Sequence, residues 1–312
     1  MRILVTGASG YIAGRLLEYL NATTSATLVA ASRKPKQTTG AHNTMVDLDY
    51  SSLKSLREAC QGVEVIIHLA GTDARSSAAD PAGAFQVNAV NTGRLIEAAV
   101  AEKVSRFLYL STFHVYGSHQ GPIIREGDCL RNSHPYAASH RAGEEILGRY
   151  LEEGSIGGCS VRLSNSFGLP ANESSSCWTL VANDLARQIA LNGKMEIQSD
   201  GSPLRDIIPM TEVCRALRFL AFFDGRLSEP ALNLGSGKTL MIREIAEMIG
   251  ARFKNKTELE PIFHYAREGP KSIPKRFIFS LEKLESLGFQ PSPDFGTEID
   301  RVLDKFLVDT HE

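Results

Sequence analysis

The stretch Val5-Thr6-Gly7-Ala8-Ser9-Gly10-Tyr11-Ile12-Ala13-Gly14 decides how this chain is read. Before it stand Ile3, Leu4 and Val5, an apolar run in Arg2 to Thr6 that suits a buried strand. After it, from Tyr11 to Leu20, Ile12, Leu16, Leu17 and Leu20 recur at helical spacing. The order is strand, glycine turn, helix. Gly7 allows the tight turn, Gly10 lets a pyrophosphate approach the backbone, and a small residue at Ala13 lets the helix pack close to the strand. The helix start then offers free N–H groups and a positive dipole end to phosphates. Gly7, Ser9, Gly10, Tyr11 and Ile12 are therefore the first candidate cofactor contacts. The competing reading is a structural turn without a ligand, and the position between a strand and a helix argues against it.

Composition narrows the classes further. A chain of 312 residues can bury a sizeable core. A formal charge of −2 gives no reason to expect a nucleic-acid partner or an anionic membrane surface. The 8 histidines and 5 cysteines show no metal-ligand spacing, and the odd, scattered cysteines fit reduced thiols in a cytoplasmic protein. The first residues read as a strand rather than a signal peptide, and no apolar run has the length of a membrane span.

Ala26 to Ser32 reads as the second strand and runs into Ser32-Arg33-Lys34 with no carboxylate. In this kind of fold an acidic residue there binds the ribose of NAD, whereas a basic residue accommodates the extra phosphate of NADP. Ser32, Arg33 and Lys34 thus favour NADP over NAD, a solvated basic loop being the plain alternative. Thr44 to Val46 forms a third strand ending at Asp47-Leu48-Asp49, with Asp49 placed to cap a helix over Leu53 to Cys60. Val63 to Leu69 is a continuous apolar strand ending in small residues, Ala70 and Gly71, at the carboxyl end where such sheets bind ligands. Pro81 to Glu102 reads as one long helix capped by Asp80.

Two later stretches complete the pattern. Arg106 to Leu110 runs into Ser111-Thr112-Phe113-His114-Val115-Tyr116-Gly117, and further on comes Pro135-Tyr136-Ala137-Ala138-Ser139-His140. With the N-terminal glycines these resemble, in order and spacing, the extended short-chain dehydrogenases/reductases, the NAD-dependent epimerase/dehydratase branch that modifies nucleotide sugars. The resemblance implies a doubly wound parallel α/β Rossmann domain over residues 1–165. A smaller α/β substrate-binding portion would follow over 166–312, with some elements crossing between the two. It implies that Asp47 and Leu48 meet the adenine and that Leu69, Ala70 and Gly71, within a H-L-A-G run similar to the family's H-L-A-A, line the cofactor. Asn88, in a run similar to N-V-x-G-T, would hold sheet and active-site backbone together. Tyr136 would be the acid/base and Thr112 its hydroxyl partner.

His140 stands where the family carries lysine. A histidine near pKa 6.5 is only partly charged at neutral pH and reaches less far. Three readings stay open: the enzyme works with a histidine, Arg141 supplies the charge, or catalysis is lost and the chain is a dinucleotide-binding sensor or scaffold. Phe113 and His114 replace the Asp-Glu pair of the family's 4,6-dehydratases, which points to a 4-ketoreductase or a 4-epimerase. By the same resemblance Asn165 and Arg205 would contact the sugar diphosphate, with Thr112 and Phe113 also on the substrate side. The family often dimerises through the helices after Asn88 and around Tyr136, so a homodimer is expected by analogy.

Overall fold

The computed structural model describes residues 1–33, 43–117, 121–172, 175, 177–227, 229–267, 269 and 274–308. Lys34 and residues 268 and 270–273 lie outside the described residues. The first half runs β1 (Arg2–Thr6), α1 (Tyr11–Thr23), β2 (Thr27–Ser32), β3 (Asn43–Asp47), α2 (Leu53–Cys60), β4 (Val65–His68), α3 (Ala74–Ala79), α4 (Pro81–Phe85), a π-turn (Gln86–Val90), α5 (Asn91–Ala101) and β5 (Arg106–Thr112). A 3-10 turn (Phe113–Tyr116) leads to β6 (Ile123–Ile124), α6 (Pro135–Glu152) and β7 (Gly157–Leu163). Then come β8 (Asn165–Phe167), α7 (Val181–Asn192), β9 (Lys194–Ile197), β10 (Leu204–Pro209), α8 (Met210–Phe222) and β11 (Ala231–Leu234). The chain ends with β12 (Thr239–Met241), α9 (Ile242–Thr257), β13 (Ile262–Tyr265), β14 (Ile278–Phe279), α10 (Glu282–Ser286) and α11 (Phe295–Val308).

Among the described residues the main sheet has seven strands in the order β11-β7-β5-β4-β1-β2-β3, and every neighbouring pair is parallel. Strand alternation explains the two covered faces. Ile3 and Val5 point into a core shared with Leu16 and Leu20 of α1 and Val213 and Leu217 of α8. Leu4 points the other way, towards Leu56 of α2, Leu95 of α5 and Leu147 of α6. A third core joins Phe167, Ile189 of α7, Ile249 of α9 and Leu303 of α11 below the smaller sheets. The fold is a doubly wound parallel α/β sheet with helices on both faces.

The halves are stitched together at α1. Tyr11 donates to the Gly168 carbonyl at 2.8 Å, and Arg15 reaches the Leu169 carbonyl at 2.6 Å. Arg15 also pairs at 2.8 Å with Glu298 of α11, a carboxylate 1% exposed that accepts from Thr211 as well.

Two local expectations are corrected. The helix expected over Pro81 to Glu102 is interrupted by the π-turn, whose wider backbone frees the Asn88 carbonyl for side-chain donors. Asp80 caps its start, accepting from the Gly83 amide at 2.9 Å. The cap of α2 is Ser52, which accepts from the Ser55 amide, while Asp49 closes its own turn by accepting from Ser51.

Gly143, inside α6, sits where that helix crosses the π-turn. A Cβ there would lie 2.5 Å from the Asn88 carbonyl oxygen and 2.6 Å from the Tyr109 hydroxyl. Glycine to alanine in a helix ordinarily stabilises by about 1 kcal/mol. Here the collision wins, and Gly143→Ala is expected to destabilise by about 1–3 kcal/mol, read as a lower urea midpoint at unchanged slope. A midpoint at or above wild type would contradict this packing.

Candidate active site

A cavity of about 620 Å³ opens along the carboxyl ends of β1, β2 and β4. Its wall carries Gly7, Ser9 and Gly10 of the turn, Ser32 at the end of β2 and Arg33 beyond it, Tyr50 after β3, Leu69, Ala70 and Gly71 after β4, and Val87 and Asn91 from the π-turn and α5. The glycine turn is forced by close packing. Gly7 has φ +70°, and a Cβ on it would meet the Ala70 amide nitrogen at 2.9 Å. The Gly10 amide closes the turn onto the Gly7 carbonyl at 2.7 Å, and Gly10 caps α1 without a side chain, leaving the first-turn amides to a ligand. These features fit a dinucleotide: a backbone cradle, a helix N-terminus and a guanidinium at the far wall.

Not every residue expected to meet the cofactor reaches that wall. Leu48 is 1% exposed and packs with Leu56 in the core, and Asp47 is exposed beside it. Leu48 instead ties the strand ends together through its amide, which donates to the Ser32 carbonyl at 3.0 Å. Tyr50, further along the same loop, stands on the cavity wall. The Tyr11 hydroxyl is committed to Gly168 and Ile12 packs on the core, so these two offer backbone amides at the helix start.

Thr112, Tyr136 and His140 come together beyond Gly71. Thr112 ends β5, and Tyr136 lies in the first turn of α6, its amide donating to Nδ1 of the capping His134 at 3.3 Å. Burial raises the Tyr136 phenol above its ordinary value, a hydrogen bond with Thr112 opposes that rise, and Asp73 adds to it. The Tyr136 ring meets His140 edge-on at 4.8 Å and His114 at 6.0 Å, centroid to centroid. His140 is 6% exposed, and burial, helped by His114, pushes its imidazole down to about 4. The expected partial charge at neutral pH is therefore corrected: desolvation keeps this ring neutral. Arg141 does not replace the charge, because its guanidinium turns away to Glu145 at 3.0 Å and the Leu130 carbonyl at 2.9 Å.

Asn88, 1% exposed, binds the surroundings of the site. Its Oδ1 accepts from the Thr72 amide at 3.1 Å and its Nδ2 donates to Ser139 of α6 at 3.0 Å. Its carbonyl accepts from Thr92 at 2.8 Å and from Tyr109 at 3.0 Å. Under α6 lies a buried pair: Arg162 of β7 holds Glu144 through Nε and Nη2, the latter at 2.7 Å, and Ser111 donates to the same carboxylate. Arg162 also donates to the Tyr116 hydroxyl at 2.9 Å, and Tyr116 donates to Asn233 of β11 at 2.6 Å.

On the other side of Tyr136, Arg205 is exposed on β10 with its guanidinium on the Leu204 carbonyl. Desolvation first, then the charges of Arg205 and His134, hold His114 below its ordinary value. Asn165 on β8 is half-buried and donates to the Asp206 carbonyl at 2.9 Å. Phe113 stacks on Phe277 at 6.0 Å and meets Phe279 edge-on at 5.2 Å, so its ring packs within an aromatic cluster. Burial raises the Asp206 carboxyl to about 6, although the Ser236 amide donates to it at 2.9 Å. Among the described residues no cluster of histidine, cysteine or carboxylate groups could hold a metal ion, and no helix is long and apolar enough to cross a membrane.

The profile of the NAD dependent epimerase/dehydratase family matches residues 3–235. The chain belongs to that family. It is 27% identical over 324 residues to the low-salt glycan biosynthesis protein Agl12 of Haloferax volcanii, covering 99% of each chain. It is 27% identical over 296 residues to the dTDP-6-deoxy-L-talose 4-dehydrogenase (NAD(P)(+)) of Kitasatospora kifunensis, covering 93% of this chain and 91% of the relative. The structure of MoeE5 in complex with UDP-glucuronic acid and NAD superposes with a TM-score of 0.80 at 25% identity, covering 100% of both chains.

Within this family member, sequence reasoning missed Tyr50, Val87 and Asn91 on the cavity wall, and Tyr109 behind His140. The signal available for Tyr50 was an aromatic residue just after the third strand. None marked Tyr109, whose position emerges when β5 is laid against α6.

Three imidazoles set the acid response. His68 is pushed down to about 3 and His140 to about 4, chiefly by burial, and His114 is lowered too. The unfolded chain therefore takes up protons near pH 6.5 that the folded chain refuses, so stability falls as pH drops below that value. Asp206, raised to about 6, acts oppositely below that pH but is one group against three. The melting temperature is expected to fall from about pH 7 to about pH 5. A flat or rising melting temperature over that range would refute the assignment of buried neutral imidazoles.

Proposed function

We propose that this chain is an NAD(P)-dependent oxidoreductase acting at the sugar C4 of a nucleotide-activated sugar, as a 4-ketoreductase or a 4-epimerase. The observation that carries the reading is the Thr112 hydroxyl at the end of β5, set close enough to the buried Tyr136 phenol to oppose its rise, beyond the Gly71 wall of the cavity. The cofactor supplies or accepts the hydride when bound. Tyr136 moves the proton at the substrate oxygen, and Thr112 positions that oxygen. Among the described residues no lysine acts on the phenol, and Arg205, whose charge reaches His114, is the candidate for pairing a diphosphate. Dehydration is disfavoured because Phe113 is an apolar ring within an aromatic cluster and cannot act as an acid.

NADP is the preferred cofactor in this reading, supported by Ser32 and Arg33 on the cavity wall and by the absence of a carboxylate at the end of β2. The Kitasatospora relative carries NAD(P)(+) in its name, whereas MoeE5 was captured with NAD. The same reading places substrate binding largely in residues 166–312 and the protein in the cytoplasm. It also includes a homodimer formed through α5 and α6, with Phe85 and Val90 exposed nearby.

Fluorescence titration with NADPH and NADH, before and after Arg33→Asp, tests the cofactor assignment. Wild type is expected to favour NADPH by about tenfold or more, and the variant to lose that preference. Equal affinities in wild type would discard the role of Arg33. Turnover on nucleotide-4-ketosugars is expected to fall about 10²–10⁴-fold in Tyr136→Phe. A wild type that binds dinucleotide but turns over no such sugar would favour the sensor reading, for which the neutral His140 is the supporting observation.

A further inference from the structure

The hydrogen-bond directions around Asn88 are fixed by counting hydrogens. The Leu69 and Ala70 amides donate to Thr6 Oγ1 at 3.1 and 3.2 Å. The single hydroxyl hydrogen of Thr6 is then directed at His68 Nδ1, 2.6 Å away. A neutral His68 therefore carries its hydrogen on Nε2, which points at Thr92 Oγ1 at 3.0 Å, and Thr92 passes its own to the Asn88 carbonyl. The second branch obeys the same logic. The Tyr109 hydroxyl lies 3.0 Å from the Asn88 carbonyl oxygen and 3.0 Å from His140 Nδ1. A carbonyl has no hydrogen to give, so Tyr109 donates to it and presents a lone pair to His140. Nδ1 of His140 must then carry the hydrogen, and in a neutral ring Nε2 is bare.

The edge of the ring that carries this bare nitrogen lies beside Gly71. A Cβ placed on Gly71 would lie 3.6 Å from His140 Cε1 and 3.9 Å from Nε2. Gly71 is itself on the cavity wall. The two departures from the family pattern, glycine at 71 and histidine at 140, thus meet in space. The groups facing His140 are Tyr136 on its own helix, Tyr109 on β5, His114 after β5 and His68 on β4. None is a carboxylate, and Glu144, one turn along α6, is held by Arg162.

We infer that His140 serves as a neutral, Nδ1-protonated imidazole whose Nε2 accepts a hydrogen bond from a hydroxyl of the bound dinucleotide, and that Tyr109 is the positioning residue that sets this tautomer. This rests on dinucleotide binding as proposed above, but not on turnover. It reverses the polarity expected of a lysine at this place, because the site receives a hydrogen rather than presenting a cation. The consequence is a ligand contact that does not titrate near neutral pH.

Long-range proton–nitrogen NMR on the free, nitrogen-15-labelled protein reads the tautomer directly, with His140 assigned by its loss in His140→Gln. The expected result is an Nδ1-protonated ring unchanged from about pH 6 to about pH 8. An Nε2-protonated ring, or an imidazolium at neutral pH, would overturn the inference. Tyr109→Phe keeps the ring in the core and is expected to redistribute the tautomer and weaken NADPH binding about tenfold. An unchanged tautomer in a folded variant would remove Tyr109 from its role. Should that variant fail to fold, Gly71→Ala serves instead: it leaves the Nδ1 side intact and is expected to keep the tautomer while weakening NADPH binding. Saturating wild type with NADPH is expected to shift the Nε2 resonance, and no shift would refute the acceptor role. A protein with the expected tautomer and shift but no turnover would sink the oxidoreductase reading and leave this one standing.

Discussion

Three polar atoms of Asn88 reach four separate segments: Thr72 after β4, Ser139 on α6, Thr92 on α5 and Tyr109 on β5. Each partner belongs to a different wall of the site. Thr72 fixes the strand end that lines the cavity, Ser139 sits between Tyr136 and His140 on the same helix, and Tyr109 faces the imidazole. The carbonyl can accept twice from side chains because the chain is locally a π-turn. A buried polar group left without partners costs about 1–3 kcal/mol, so this residue holds the walls in register only while all of them are present. Gly143 completes the constraint by letting α6 approach the same carbonyl to a distance that any side chain would prevent.

The electrostatics of the site follow from that close packing. Water is excluded from His68 and His140, and desolvation keeps both neutral. The nearby charges are either paired at depth, as Glu144 with Arg162, or held outside, as Arg205 on its exposed strand. A buried ion pair adds little net stability over an apolar equivalent, but removing one member leaves an uncompensated charge. Arg162 thereby fastens α6 to β7 and, through Tyr116 and Asn233, to β11. The helix carrying Tyr136 is held from below by charge and from the side by Asn88.

What could be read from the chain was what short-range chemistry determines. The strand–turn–helix at residues 2–20 is visible because its glycines and apolar spacing are local, and the cap at Asp80 is visible for the same reason. The burial of Leu48 against Leu56, and the place of Tyr50 on the wall, are set by how the loop after β3 packs on α2 rather than by any local pattern. The neutral state of His140 could not be seen in advance, since it depends on burial and on His114, which comes from another segment of the chain. The same holds for Arg15 and Glu298, whose pairing spans 283 positions. Such contacts carry no periodicity and leave no mark on either neighbourhood.

The placement of Arg15 has a structural consequence for how the two halves communicate. Gly10, the N-cap of α1, lines the cavity, while Arg15 in the helix grips Leu169 and Glu298 of the second half. Tyr11, at the very start of the helix, adds its bond to Gly168. One helix therefore starts at the glycine turn on the cavity wall and is clamped along its side to the segment after Asn165 and to α11. Any shift of those segments against the sheet must either move the cradle or break a pair whose carboxylate is 1% exposed. The second course leaves a charge without its partner in a dry interior. The packing thus favours concerted movement of cradle and substrate half over independent movement of either.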